Sequence, residues 1–158
     1  MDPVQLSDIV SVFQDQCAQA IWAHNGIVNK QMGDGLMAIF NFPIKIERHA
    51  EAAVTTALEI QRRCKATLAT IARPLGEAEA LGIGVGVHTG EVEIRDADIA
   101  GIGVHIAARV LDVASPGELM VSAAVPMLVA GSGFEFEDRG EHHLKGVSET
   151  WRLFALRS

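Results

Sequence analysis

An α+β fold, a mixed sheet with helices packed on one face, is the architecture this sequence predicts. Three observations predict it. Segments with apolar residues at three-to-four spacing are interleaved with short segments that alternate at period two. Glycine turns separate neighbouring strand-like segments, so hairpins are frequent, and that favours antiparallel pairing over a run of crossover units. Hydrophobic residues make up 49% of the chain, enough to fill a core. The 158 residues are expected to form one domain.

The elements follow in order. Asp2-Pro3 is a helix start, a capping carboxylate followed by proline at the first helical position. Leu6, Ile9, Val10, Phe13, Cys17, Ala20 and Ile21 continue it on one face, and Asn25-Gly26 ends it. Gly26 to Phe40 reads as a hairpin, with Ile27 and Val28 opening one strand, Leu36, Ala38 and Phe40 alternating along the other, and Gly33-Asp34-Gly35 as the turn. A loop around Pro43 leads to a second long helix over 48–72, and a connection around Pro74 and Gly76 follows it. Leu81 to Gly90 is strand-like, with Gly82, Gly84 and Gly86 on one face, which implies that something packs very close to that backbone. Glu91 to Arg95 is expected as its partner strand, 101–114 as a helix, 119–122 as a short strand and 123–130 as a short helix. Phe134–Glu137, His142–Lys145 and Trp151–Leu156 are strand candidates around turns at Gly140 and Gly146.

Composition excludes several classes of function. The net charge of −7 argues against a nucleic-acid or anionic-membrane partner. No apolar run is long enough to span a bilayer, so membrane insertion is not expected. The two cysteines, Cys17 and Cys64, lie in helical patterns without metal-ligand spacing and read as reduced, buried thiols of a cytoplasmic protein. The alternating glycines of 82–86 are not a dinucleotide fingerprint, which needs its glycines at a strand-to-helix turn.

Six residues are candidates for chemistry, and each has a plain reading beside the functional one. Asp34 suits a tight turn; it is also a carboxylate at a hairpin tip, with Lys30 four residues before it. Asp98 precedes the helix that carries His105 and Arg109, which are four apart and share a face. On the plain reading Arg109 pairs with Asp112 and His105 is half-buried among Ile102, Val104 and Ile106. Lys145 precedes a turn glycine, where most lysines are simply solvated. His88, on the glycine face, reads as packing, and the adjacent His142 and His143 point to opposite faces of a strand and make a poor metal pair.

In order along the chain, these stretches resemble the class III nucleotidyl cyclase catalytic domain, of bacterial adenylate-cyclase type. The matching segments are GIVNKQMGDGLMAIFNFP, HAEAAVTTALEIQ, GVGVHTGEV, DIAGIGVHIAARV with ASPGELMVS, and GEHHLKGVSETWRLF. The resemblance implies a ferredoxin-like, mostly antiparallel sheet with helices packed on it. It implies conversion of ATP to cyclic AMP and pyrophosphate by attack of the 3′-hydroxyl on the α-phosphate, assisted by two Mg²⁺ or Mn²⁺ ions per site. Residue by residue, Asp34 matches a metal-holding aspartate, and Lys30 and Asp98 match the pair that reads the purine. Lysine and aspartate there resemble the adenine-reading form, against the glutamate and cysteine typical of guanylyl cyclases. Adenine offers a ring nitrogen acceptor to lysine and an exocyclic amine to a carboxylate. Arg109 matches the arginine that stabilises charge on the reacting phosphate, Lys145 the lysine that holds the terminal phosphates, and His105 a position usually held by a ribose-orienting asparagine. The sites lie between two chains in this family, so a head-to-tail homodimer is implied.

One departure from the pattern bears on function. The family opens with a strand like F-x-D-I-x-G-F-T that carries the first metal aspartate, and this chain begins at the helix that normally follows it. Asp8-Ile9 sits inside the helical pattern and is no substitute. The expectation is therefore a cyclase domain truncated at its N-terminus, either as a gene product or as part of a longer protein with other domains. Two functions remain open at this level: an adenylate cyclase, supported by the retained purine and phosphate set, or an inactive homology domain that dimerises or binds nucleotide as a regulatory module, supported by the missing aspartate.

Overall fold

The computed structural model describes residues 3–32, 35–72, 83–90, 93–95 and 98–157. The chain divides into two units, Met1–Ile83 and Gly84–Ser158.

The first unit packs two helices, α1 (Pro3–Ala23) and α2 (His49–Ala72), on a hairpin of β1 (Ile27–Met32) and β2 (Gly35–Ile39). The end of α1 follows from its sequence. Asn25 takes a φ of 65°, its N–H donates to Trp22 O at 3.1 Å, and the Gly26 N–H donates to Ile21 O at 2.9 Å. This pair of bonds is a Schellman closure, which satisfies carbonyls that a helix end leaves unpaired. Cys17, Ala20 and Ile21 of α1 form a core with Ile60 and Cys64 of α2, and Val28, Leu36, Ala38 and Phe40 of the hairpin pack against it. Both cysteines are free thiols and 2% exposed. The hydrogen bond with Cys64, and then burial, hold the Cys17 thiol protonated far above its ordinary range. At the outer side of the helix pair His24 Nε2 lies 2.7 Å from Glu59 Oε2, and Arg63 donates to Glu59 Oε1 at 2.8 Å. The His24 bond, then Arg63, keeps the Glu59 carboxyl below its usual range.

The hairpin carries a β-bulge. Val28 faces Ala38 and Lys30 faces Met37, so two steps on β1 oppose one step on β2. Simple alternation would put Lys30 on the same face as Val28, toward the core. The extra residue moves it to the face of Met37, and Lys30 is exposed.

The second unit holds a four-stranded sheet in the order β3 (Val85–Val87), β6 (Leu119–Ser122), β8 (Thr150–Leu156), β7 (Phe136–His143). β3 runs parallel to β6, and the other two pairings are antiparallel. A separate hairpin joins β4 (Glu93–Arg95) and β5 (Asp98–Ala100). Helix α3 (Ile102–Val113) follows β5, and α4 (Ala124–Leu128) follows β6. All four residues of β6 are buried, as the inner position in the sheet demands. Ile106 and Val110 of α3 share a core with Met120, Leu144, Val147, Leu153 and Ala155. On the outer strand β7, Glu137, Asp138, Arg139 and Glu141 are exposed. Asp138 takes both carboxylate oxygens to Arg152 Nη1 at 2.9 and 2.8 Å, and Arg139 reaches Glu118 at 2.7 Å.

Three sequence expectations are corrected. The strand expected over 81–90 is limited to Val85–Val87 among the described residues, because its only ladder partner there is the four-residue β6. Glu93–Arg95 pairs with Asp98–Ala100 rather than with β3. Gly140 does not separate two strands: β7 runs through it, and the register shifts between Asp138 and Glu141 at a bulge where Gly140 takes a φ of 79°. The hairpin turn that contains Asp34 and the connection around Pro74 lie outside the described residues.

Candidate functional site

The site-forming part of the second unit begins with the glycines of β3. A Cβ on Gly86 would stand 2.5 Å from the backbone N of Leu111, 2.8 Å from its Cα and 3.1 Å from Ala107 O. Helix α3 is therefore laid directly on the strand at Gly86. At Gly84 a Cβ would meet Ala114 and Ser115 at 3.4–3.5 Å, an ordinary contact. With Ile106 and Val110 in the core, the neighbouring positions 105 and 109 lie at the border of the buried face, one turn apart.

Arg109 donates from Nη1 to Asp112 Oδ2 at 2.9 Å, three residues along the same helix. The pairing expected on the plain reading is thus present. Its side chain is 32% exposed and that of Asp112 is 59% exposed, so the pair is a weak constraint. Among the described residues the buried Nε of Arg109 has no hydrogen-bond partner.

Lys145 sits in the turn between β7 and β8. Leu144 and Val147, on either side of the Lys145-Gly146 pair, are buried in the core that includes Ile106 and Val110, and the Val147 N–H donates to Leu144 O at 3.0 Å. The two apolar residues hold the turn in place while Lys145 stays exposed at its tip. Gly146 takes a φ of 80°, and a Cβ there would stand 2.9 Å from Nε2 of His105 and 3.4 Å from Cε1. The structure thus brings His105 against the turn that carries Lys145, with Arg109 one helical turn away. Asp98 is the first residue of β5, in register with Arg95, and β5 leads into α3. Lys30 belongs to the first unit, and Asp34 lies outside the described residues. The sequence reading missed the seat that Gly146 provides for His105; a glycine directly after the turn lysine was the available signal.

His88, just past β3, is a packed residue. Its Nδ1 lies 2.6 Å from Ser122 Oγ, and its ring meets Trp151 edge-on, with centroids 5.5 Å apart. Burial lowers its pKa from the ordinary 6.5, because the apolar surroundings disfavour the imidazolium. The folded pKa is below the unfolded one, so this contribution to stability is complete above about pH 6.5 and is lost as the pH falls below it. Melting curves between about pH 7.5 and about pH 5.5 are expected to show a steeper loss in the wild type than in His88→Gln. Equal slopes would show that His88 titrates alike in both states.

Among the described residues no group of three or more histidine, cysteine, aspartate or glutamate side chains is placed to hold a metal ion, and no helix is long and apolar enough to cross a membrane.

The family model for the adenylate and guanylate cyclase catalytic domain matches residues 3–157. The chain belongs to this family. As a cyclase domain it is 32% identical over 125 residues to the provisionally named adenylate cyclase 3 of Rhizobium meliloti (strain 1021), covering 78% of this chain and 19% of that protein. It is 22% identical over 164 residues to guanylate cyclase soluble subunit beta-2 of Rattus norvegicus, covering 99% of this chain and 23% of that protein. The cyclase domain spans less than half the length of these curated relatives. Its fold is that of solved cyclases. The adenylyl cyclase CyaB from P. aeruginosa superimposes with a TM-score of 0.82 at 20% identity, over 100% of this chain and 85% of that one. The guanylyl cyclase Cya2 superimposes with a TM-score of 0.80 at 21% identity, over 99% and 82%. The expected family and the mixed α+β cyclase fold therefore hold.

Proposed function

We propose that this cyclase domain forms cyclic AMP and pyrophosphate from ATP. The observation that carries the reading is the arrangement on α3 and the β7–β8 turn: Arg109 one turn from His105, His105 against Gly146, and Lys145 exposed beside it. Two cations on a rigid scaffold suit a polyphosphate. Lys145 holds the terminal phosphates, and Arg109, released from Asp112, takes up charge that develops at the reacting phosphate. Lys30, which the bulge keeps exposed, and Asp98 read the adenine ring. Asp34 would hold Mg²⁺ or Mn²⁺, ions that favour carboxylate oxygen, and a bound ion would supply neutralisation of phosphate charge and favour ionisation of the 3′-hydroxyl. Residues 1–158 act as one catalytic domain, and two copies in head-to-tail symmetry form each site, Asp34 from one and Lys30, Asp98, Arg109 and Lys145 from the other.

The test is product formation by the purified chain with Mn²⁺ and either ATP or GTP. Cyclic AMP from ATP, absent in Asp34→Ala, is the expected result. Lys30→Glu combined with Asp98→Cys is expected to shift preference toward GTP, because the new carboxylate accepts from the N–H donors of guanine and the thiol removes the carboxylate that would oppose its carbonyl oxygen. A folded, dimeric chain that makes no product would leave the second reading, a regulatory homology domain; the Arg109–Asp112 pair is the observation that favours it.

A further inference from the structure

We infer that His105 is a positioning residue that acts through Lys145, filling the space a side chain at 146 would occupy and so fixing the direction of the turn. The inference rests on the reading above, in which Lys145 binds the terminal phosphates.

The turn is anchored on two sides by its own residues. Leu144 and Val147 are 3% and 7% exposed in the second unit's core, and the Val147–Leu144 hydrogen bond closes the loop. These anchors close the turn but leave its central Lys145-Gly146 peptide room to rock, because Gly146, at a φ of 80°, has no Cβ to restrict it. The third constraint comes from α3. Nε2 and Cε1 of His105 lie 2.9 and 3.4 Å from the Cβ position of Gly146, so the imidazole occupies that position's side-chain volume. The helix that carries the ring is itself held: the adjacent Ile106 is 2% exposed in the core, and α3 rests on Gly86 without a gap. A long lysine side chain keeps most of its own freedom, so the direction of its Cα–Cβ bond decides where the ammonium group can reach. Alanine at 105 would leave the space empty. Asparagine would fill it only in part, since its side chain ends before the ring's Nε2. Phenylalanine would refill it without an imidazole nitrogen.

The experiment measures binding of magnesium tripolyphosphate by calorimetry to the wild type, Lys145→Ala, His105→Ala, His105→Phe and the double variant His105→Ala/Lys145→Ala, each first shown to be folded by circular dichroism. Lys145→Ala is expected to weaken binding about tenfold, the loss of one charge-assisted contact. His105→Ala is expected to weaken it several-fold, the double variant to bind no worse than Lys145→Ala, and His105→Phe to recover most of the loss, since coupled residues do not add. A His105→Ala variant that melts earlier but binds as the wild type does would overturn the inference, leaving His105 only structural. Additive losses with no recovery in His105→Phe would overturn it too, by placing the imidazole on the phosphate. If Lys145→Ala alone leaves binding unchanged, or the wild type does not bind, the fault lies with the assignment of Lys145.

Discussion

Gly86→Ala is expected to destabilise the protein by about 3 kcal/mol, the upper part of the usual cost of overpacking a tight interior. At this chain length that corresponds to a fall of roughly 10 °C in melting temperature. The added methyl would stand 2.5 and 2.8 Å from backbone atoms of Leu111 and 3.1 Å from a carbonyl of Ala107. None of these is the free end of a side chain. Relief requires α3 to move off β3, and α3 also contributes Ile106 and Val110 to the core. Gly84→Ala supplies the control. Its methyl would meet Ala114 and Ser115 at 3.4–3.5 Å, so a change within about 0.5 kcal/mol is expected, the range of most mild substitutions. Thermal melts of both variants at one pH decide the matter. Similar melting temperatures would mean that α3 does not rest on β3 as described.

The largest expected effect on activity belongs to Arg109. Arg109→Ala should lower kcat for cyclic AMP formation by about 10²- to 10³-fold, the usual loss when one preorganised donor to a developing charge is removed. Stability should hardly change, because an exposed ion pair of this kind contributes about 0–1 kcal/mol. The two possible roles of Arg109 are thereby separated. A residue that only pairs with Asp112 would show a small stability effect and no kinetic one. A second measurement follows from the proposed head-to-tail pairing. Asp34→Ala and Arg109→Ala, each with little or no activity alone, are mixed in equal amounts. Half the dimers are then mixed pairs, each with one intact site of two, and about a quarter of wild-type activity is expected to return. No recovery after verified exchange of subunits would place Asp34 and Arg109 on the same chain's site, or outside it.

Much of the fold was legible from local signals. Asn25-Gly26 marked the end of α1, and the structure closes the helix there with the bonds that pair of residues permits. LMVS at 119–122 read as a strand and is one, buried along its whole length. The glycine at 86 announced a close approach before the approaching helix was known, whereas Gly84 on the same face meets only ordinary contacts. What escaped were features in which one residue changes the count. The bulge that puts Lys30 on the outer face follows from the pairing of β1 with β2, and nothing in Ile27–Met32 alone signals it. The same holds at Gly140, where a glycine that looked like a turn lies within one strand. The contact of His105 with Gly146 joins residues far apart in the chain, which periodicity along either segment cannot reveal. Of the candidate site, the helix that carries His105 and Arg109, the turn that carries Lys145 and the pairing of Arg109 with Asp112 were readable; the strand that holds Asp98 and the seat of His105 needed coordinates.

The outer strand β7 has a consequence beyond the site. A sheet margin offers unpaired N–H and C=O groups to any other chain that can lie alongside. Here that margin carries Glu137, Asp138, Arg139 and Glu141, all exposed, and its register breaks between Asp138 and Glu141. An incoming strand would have to desolvate several charges and match an interrupted ladder. Concentrated solutions of this chain are thereby guarded on that side against joining end to end into fibrous aggregates, and any association between copies is directed to other surfaces.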